Sequence, residues 1–296
     1  MSNIKLIIEE RASNIGNFMV GRLLPFREKR MVGPFAFIDH MGPVCLSDHE
    51  NLDVPPHPHI GLSTLTYLFE GSIMHKDSLA NEIEIKPGQV NWMTAGKGIV
   101  HSERTPAHLR HSDKMLHGLQ IWVALPKDLE HMEPEFFHVE AEDIPFWEQD
   151  GVSIKLIAGT AFGKQSPVPV YSPLYFLELK TKTRKTVKIG EDLFGESGLY
   201  ILAGAIESEG FTYEPKQLLV ANDSKLCEFV MQENTTVYLF GGTTFPEERF
   251  IYWNFVATSK EIIEQAKNKW LEQSFERVPG ETDFVPLPEQ GRSIKS

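Results

Sequence analysis

Short runs in which every second side chain is apolar, each closed by glycine or proline, leave this chain few folds to adopt. Leu65, Tyr67 and Phe69 alternate with Thr64, Thr66 and Leu68; Glu82-Ile83-Glu84-Ile85 alternates and stops at Pro87-Gly88; Tyr175, Leu177 and Leu179 alternate ahead of Lys180. Residues 199–206, 217–220 and 236–240 are further β-rich runs. Side chains of a strand point to opposite faces in turn, so this period fits half-buried strands. The 22 glycines and 19 prolines punctuate the runs as turns. Many short strands at such spacing predict an all-β sandwich or barrel. One segment reads as a helix. Thr258-Ser259-Lys260-Glu261 fits a capping box with Thr258 at the cap and Glu261 reaching back, and Ile262, Ile263, Ala266, Trp270 and Leu271 follow at helical spacing. A weaker second helix is expected from near Ser112, ahead of His117 and Leu119. The stiff, proline-rich stretch 163–173 (GKQSPVPVYSP) reads as a linker. It predicts two β-rich domains, 1–165 and 166–296, laid out as two divergent copies of one barrel.

Charge and composition remove several classes of function. With 41 acidic and 29 basic side chains the formal net charge is -12. Nucleic-acid affinity needs clustered Lys and Arg, so a phosphate-binding surface is not expected. Lys180, Lys182 and Arg184 alternate as the solvent face of a strand does. The two cysteines, Cys45 and Cys227, form no CxxC and no disulfide framework, which suits a reducing compartment. The first ten residues are too short and too charged for a signal peptide, and no run approaches the roughly 20 apolar residues that span a bilayer. The expectation is a cytoplasmic protein, nuclear being open for a eukaryotic source, with no membrane partner. Two barrels in one chain can bury a common interface, so a monomer is expected.

All 11 histidines lie between His40 and His138. Imidazole is the side chain most used for metals and proton transfer. Pro55-Pro56-His57-Pro58-His59 is followed by His101-Ser102-Glu103. Residues i and i+2 of a strand share a face, so His57 and His59 project together, and so do His101 and Glu103. If the two segments are neighbouring strands, three imidazoles and one carboxylate converge. Nitrogen and carboxylate donors without thiolate suit iron, manganese, nickel, copper, cobalt or zinc; calcium and magnesium prefer oxygen. Four protein ligands on a six-coordinate metal leave positions open. His75 reads as a surface turn residue or as a partner that orients the site, and His40 as a residue at the barrel mouth or one that stabilises the loop. His108, His111, His117, His131 and His138 read as surface or satisfied core residues. Gly96-Lys97-Gly98 reads as a tight turn that delivers the next strand to His101, and Ser102 should face away from the ligands. Trp92, Met93, Phe35 and Phe37 are candidates for an apolar wall around the metal, with ordinary barrel core as the other reading.

These segments carry a family resemblance. HPHIGLSTLTYLFEGSIMHKDS, IKPGQVNWMTAGKGIVHSE, the upstream LPFREKRMVGPFAFIDHMGP and the downstream FGGTTFPEERFIYWNFVATSKEIIEQAKNKW and VPLPE together resemble the pirin family of the cupin superfamily. The resemblance implies a bicupin, with two jelly-roll β-barrels and a C-terminal helix, the N-terminal barrel binding one divalent metal, commonly iron as Fe(II). The family's ligands carry over to His57, His59, His101 and Glu103. Ser63 and Thr64 stand where a general cupin places a glutamate, although Gly71 survives, and His101 comes long after Pro87-Gly88. Both departures are shared with pirins, and Glu103 supplies the carboxylate. With no histidine after His138, the second barrel cannot rebuild an imidazole site.

Two functions follow. The resemblance implies a metal-dependent dioxygenase that cleaves a flavonol such as quercetin, or a related enediol or catechol, with dioxygen as co-substrate and Glu103 as ligand and, on dissociation, as the catalytic base. The alternative is an iron redox switch that binds a protein partner, a transcription factor or a metabolic enzyme. The oxygenase is the favoured reading.

Overall fold

A computed structural model describes residues 4–15, 18–189, 193–221 and 228–288. The described residues are mostly strand, with one α-helix among them, near the C-terminal end. It divides into two compact units, and these do not follow the expected boundary at 165/166. One unit comprises residues 12–22, 37–141 and 246–296; the other comprises 1–11, 23–36 and 142–245. The reason lies in the termini. Ile4–Glu9 pairs antiparallel with Gln217–Ala221, so the N-terminal strand completes a sheet made of late sequence. The C-terminal segment contributes Phe255, Ile263, Ala266 and Trp270 to a cluster with Ile60 and Val100.

The unit holding the histidine motifs has two antiparallel sheets. The larger runs in the order Glu135–Val139, Val90–Thr94, Leu62–Glu70, Lys114–Ala124, Phe35–Leu46, Met19–Leu24, Arg11–Asn14. The smaller runs Asp53–His59, Ile99–Arg104, Ile73–Asp77, Glu82–Ile85. Inward residues of both sheets, among them Val20, Met41, Leu68, Ile73, Ile85 and Leu116, close one apolar core. The period-two runs are the physical cause. In Leu62–Glu70, Thr66 faces the interior beside Gln120, while Leu65, Tyr67 and Phe69 take the other face.

The second unit repeats the plan with a large sheet and a four-stranded one, Lys185–Lys188, Glu228–Met231, Ile206–Ser208, Phe211–Tyr213. Leu156, Tyr175, Leu177, Leu199, Leu219, Phe229 and Leu239 fill its interior, each at most 1% exposed. Where the first unit carries imidazoles, this one carries packed hydrocarbon. Lys180, Lys182 and Arg184 are exposed, but only Lys180 lies in a strand: Leu174–Thr181 ends before Lys182, and residues 182–184, Thr183 included, form an exposed connection to Lys185–Lys188.

Two local expectations are corrected. Lys114–Ala124 is a strand, and no helix starts near Ser112. Its alternating Leu119, Ile121 and Val123 pair with Tyr67, Leu65 and Ser63, so period two outweighs the helical spacing of a few residues. The helix Lys260–Leu271 is present, but its cap is Ser259, whose hydroxyl accepts from the Ile262 amide at 3.3 Å. Thr258 is drawn off by buried Glu130, which accepts from its amide at 2.9 Å and its hydroxyl at 2.7 Å. Ile263, Ala266 and Trp270 are buried as expected, whereas Leu271 is 67% exposed. Ser259→Ala should cost about 1 kcal/mol of stability, read as a shift in denaturant midpoint, because one helix-end amide loses its acceptor. Cys45 is an exposed free thiol; Cys227 and Glu289 lie outside the described residues. Among the described residues no helix is long and apolar enough to cross a membrane.

Candidate metal centre

The three histidines meet because two short strands pair in one register. Ile99–Arg104 lies antiparallel to Asp53–His59, with His101 directly opposite His57 and Ile99 opposite His59. The register then slips between His101 and Glu103, which pairs with Val54. Pro55 and Pro56 sit at that slip; proline has no amide to donate to a ladder, so an irregularity is the expected result. On its other side the same strand pairs with Ile73–Asp77, placing His101 opposite Asp77 and Glu103 opposite His75. The turn at residues 95–98 is closed by the Gly98 amide on Ala95 O at 2.8 Å, and it feeds the strand toward His101 as expected. Ser102 faces away from the ligands, its hydroxyl donating to Glu281 Oε1 at 2.7 Å.

One ligand atom from each of His57, His59 and His101 lies within 4.8 Å of the others. The rings are 7%, 2% and 1% exposed. His59 Nε2 and His101 Nε2 are 3.1 Å apart, and His57 Nδ1 donates to Pro55 O at 2.9 Å, which leaves its Nε2 lone pair free. Burial, with smaller repulsion from neighbouring imidazoles, pushes all three toward the neutral form: His57 from 6.5 down to about 4, His59 and His101 well below their ordinary value. The Asn254 backbone opposes this weakly at His59, whose Nδ1 has no partner at hydrogen-bond distance. Neutral imidazoles with converging lone pairs are the protonation state a metal needs. The residues therefore fit a divalent transition metal held through nitrogen.

Glu103 stands outside that 4.8 Å set but lines the same cavity. Thr66 Oγ1 donates to its Oε1 at 3.4 Å. Burial raises its carboxyl above the ordinary value, against the opposing influence of His75 and Thr66. The cavity encloses about 320 Å³. One wall is Phe37 stacked on Trp122, ring centroids 4.0 Å apart and 14° from parallel, with Trp122 meeting His59 edge-on at 5.2 Å. Arg22 lies over the Phe37 ring at 4.6 Å and holds buried Asp39 through two 2.8 Å hydrogen bonds. Gln120, Trp253 and Asn254 also line it.

Of the four aromatic and apolar candidates, only Phe37 lines this cavity. Phe35 belongs to the unit without the histidine motifs and packs there on Phe176 and Phe240; Trp92 Nε1 donates to Thr94 Oγ1 and Met93 packs with Ala95 and Ile99. His40 is buried away from the metal histidines, its Nε2 2.8 Å from His117 Nε2. His75 does touch the centre: its Nδ1 is 3.4 Å from His101 Nδ1 and its Nε2 is 3.1 Å from Asp77 Oδ2. Sequence reasoning missed Gln120 and Trp122, whose signal was the alternation in residues 119–123. It also missed Trp253 and Asn254, which no local pattern connects to the histidines.

The neutral state has a consequence for pH dependence. Below pH 6.5 the unfolded chain takes up protons at these imidazoles while the native metal-free protein does not, down to about pH 4 for His57. Stability contributed by their neutrality is whole above pH 6.5 and is lost as pH falls through that window. Glu103, raised, works in the opposite sense, but as one carboxyl against three imidazoles. Metal-free protein should lose on the order of 1 kcal/mol per pH unit for each imidazole. Thermal melts of metal-free protein between pH 7 and about 4 check this; a His57→Asn variant with an equally steep acid decline would sink it.

Comparison with known proteins agrees with this geometry. Residues 17–123 match the family model described as pirin, and residues 176–276 match that of the pirin C-terminal cupin domain. A pirin-like protein of Caulobacter vibrioides is 45% identical over 97% of this chain and 100% of its own length. The crystal structure of a quercetin 2,3-dioxygenase from Acinetobacter baumannii superposes with a TM-score of 0.87 at 34% identity, covering 98% of both chains. A bacterial pirin from Escherichia coli, solved in complex with nickel(II), superposes at 0.63 over 81% of this chain and 99% of its own. At 17% identity that likeness speaks to the fold alone.

Proposed function

This chain belongs to the pirin family, and on that footing we propose that it is an iron(II)-dependent dioxygenase that cleaves a flavonol such as quercetin or a related enediol or catechol. The observation that carries the reading is three buried neutral imidazoles converging at the floor of a 320 Å³ cavity with an aromatic wall. The similarity to a solved quercetin 2,3-dioxygenase supports it.

His57, His59 and His101 would hold the metal, and Glu103, which lines the same cavity outside their 4.8 Å set, would join them as the fourth ligand. The bound metal supplies Lewis-acid activation of a substrate hydroxyl and one-electron chemistry with dioxygen. The chain's own residues do the rest. Phe37 and Trp122, stacked on each other, form an apolar wall of the cavity that excludes water from the centre. Gln120 and Asn254 supply polar contacts for ring hydroxyls. When dissociated from its ligand role, the Glu103 carboxylate accepts the proton of a substrate hydroxyl; burial raises its pKa, which makes it a better base than an exposed glutamate.

The test is anaerobic loading with Fe(II) followed by quercetin and oxygen. Flavonol consumption matched mole for mole by carbon monoxide is the expected result. Absence of turnover with Fe(II), Mn(II), Co(II), Ni(II) and Cu(II) would overturn the reading.

A further inference from the structure

The group behind His101 is more elaborate than a metal ligand requires. Asp77 is fully buried, and His75 is 3% exposed with its ring stacked on Phe136 at 4.5 Å. Asp77 Oδ1 accepts from the Leu79 amide at 2.9 Å, the Asn81 amide at 3.0 Å and Asn81 Nδ2 at 3.1 Å. Asn81 Nδ2 also reaches Oδ2 at 2.9 Å. These donors fix the carboxylate and leave Oδ2 facing His75 Nε2 at 3.1 Å. A carboxylate only accepts, so His75 carries a proton on Nε2, and its neutral tautomer presents a bare Nδ1. That Nδ1 lies 3.4 Å from His101 Nδ1. His101 must then be the donor, with its proton on Nδ1 and its lone pair on Nε2, the nitrogen that faces His59.

We propose that Asp77 and His75 are positioning residues that set the tautomer of His101 through two successive hydrogen bonds, and thereby set the affinity of the centre for its metal. Carboxylates commonly orient a ligating imidazole directly; here the carboxylate acts through a second imidazole. The order of donors runs one way only. The Asn81 and Leu79 amides polarise Asp77, Asp77 polarises His75, and His75 leaves His101 no choice of which nitrogen to offer. This inference rests on the metal-centre reading above.

The chain of donors makes an isosteric change damaging. In Asp77→Asn the new amide nitrogen can donate to His75 Nε2, which moves the His75 proton to Nδ1 and turns it against His101. In His75→Leu the acceptor is lost. In His75→Asn the amide oxygen stands near the position of His75 Nδ1 and can accept the His101 proton.

Competition titration of Co(II) against a chelator, with the Co(II) absorption spectrum recorded for each variant, tests this. Asp77→Asn and His75→Leu should bind about 10- to 100-fold more weakly than the unaltered protein, and His75→Asn within about threefold of it. Thermal melts of the metal-free variants identify any that fail to fold; if Asp77→Asn is one, the contrast between His75→Asn and His75→Leu carries the test. Undiminished affinity in the folded members of the Asp77→Asn and His75→Leu pair would overturn the proposal, and so would His75→Asn binding as weakly as His75→Leu. Unaltered protein that takes up no Co(II), matching a His57→Ala control, would instead remove the metal-centre reading itself.

Discussion

His101→Ala is expected to abolish tight metal binding and, with it, the proposed oxygenase activity. His101 is the hub of the centre: it pairs across the strands with His57, lies 3.1 Å from His59, and receives the contact from His75. Its removal leaves His57, His59 and the proposed ligand Glu103, one donor short of the set, and disconnects them from Asp77. Metal affinity should fall by more than about 100-fold, beyond what the loss of an outer partner costs. Metal analysis after dialysis should move from about one ion per chain to a small fraction of that. The metal-free variant should still fold, because alanine removes a buried polar ring and strands no charge. Full metal occupancy in folded His101→Ala would refute the ligand assignment.

Gly61→Ala is the second large effect, and it acts through the backbone. Gly61 follows the His57–His59 pair with φ at +67°, a conformation that costs any residue with a side chain. A Cβ there would lie 2.0 Å from Val256 O. The crowding has a purpose. The Gly61 amide donates to Gly96 O at 2.9 Å, its carbonyl accepts from the Leu125 amide at 3.0 Å, and the Val256 amide donates to Ile60 O at 3.2 Å. Three distant segments are thus fastened within two residues of His59. Alanine must push the 255–257 strand away or twist the turn, at a cost on the order of 3 kcal/mol. Chemical denaturation measures that loss. Metal affinity should fall in parallel, since His59 moves with the turn; a variant as stable as the parent would show that the turn has slack the geometry does not reveal.

Much of this protein was legible in its residues because the relevant forces are local. Alternation in residues 64–69 and 175–179 reports strands because each side chain chooses a face within its own strand. The placement of His57 and His59, and of His101 and Glu103, on shared faces follows from the same period. Where the reading slipped, a distant group had intervened. Thr258 suits a helix cap, but Glu130 claims its hydroxyl and the cap passes to Ser259. The segment after Ser112 has residues compatible with a helix, but its neighbour Leu62–Glu70 offers a full ladder of backbone partners. The linker at 163–173 suggested a division at 165/166, while pairing of Ile4–Glu9 with Gln217–Ala221 allots the first strand to the late unit.

The sequence by itself determined the all-β class, the family, the restriction of imidazole chemistry to one of two barrels, and the identity of the three histidines. Those properties depend on which residue types are present and on spacing within single strands. Only the tertiary structure decided that Phe37 and Trp122 form the wall, that Glu103 stands beside the imidazole cluster and outside it, and that Asp77 reaches His101 through His75. Each of those depends on the register between strands and on contacts between residues far apart in the chain. Register is set by the sum of many weak pairings across a sheet, and that sum has no signature in any one segment.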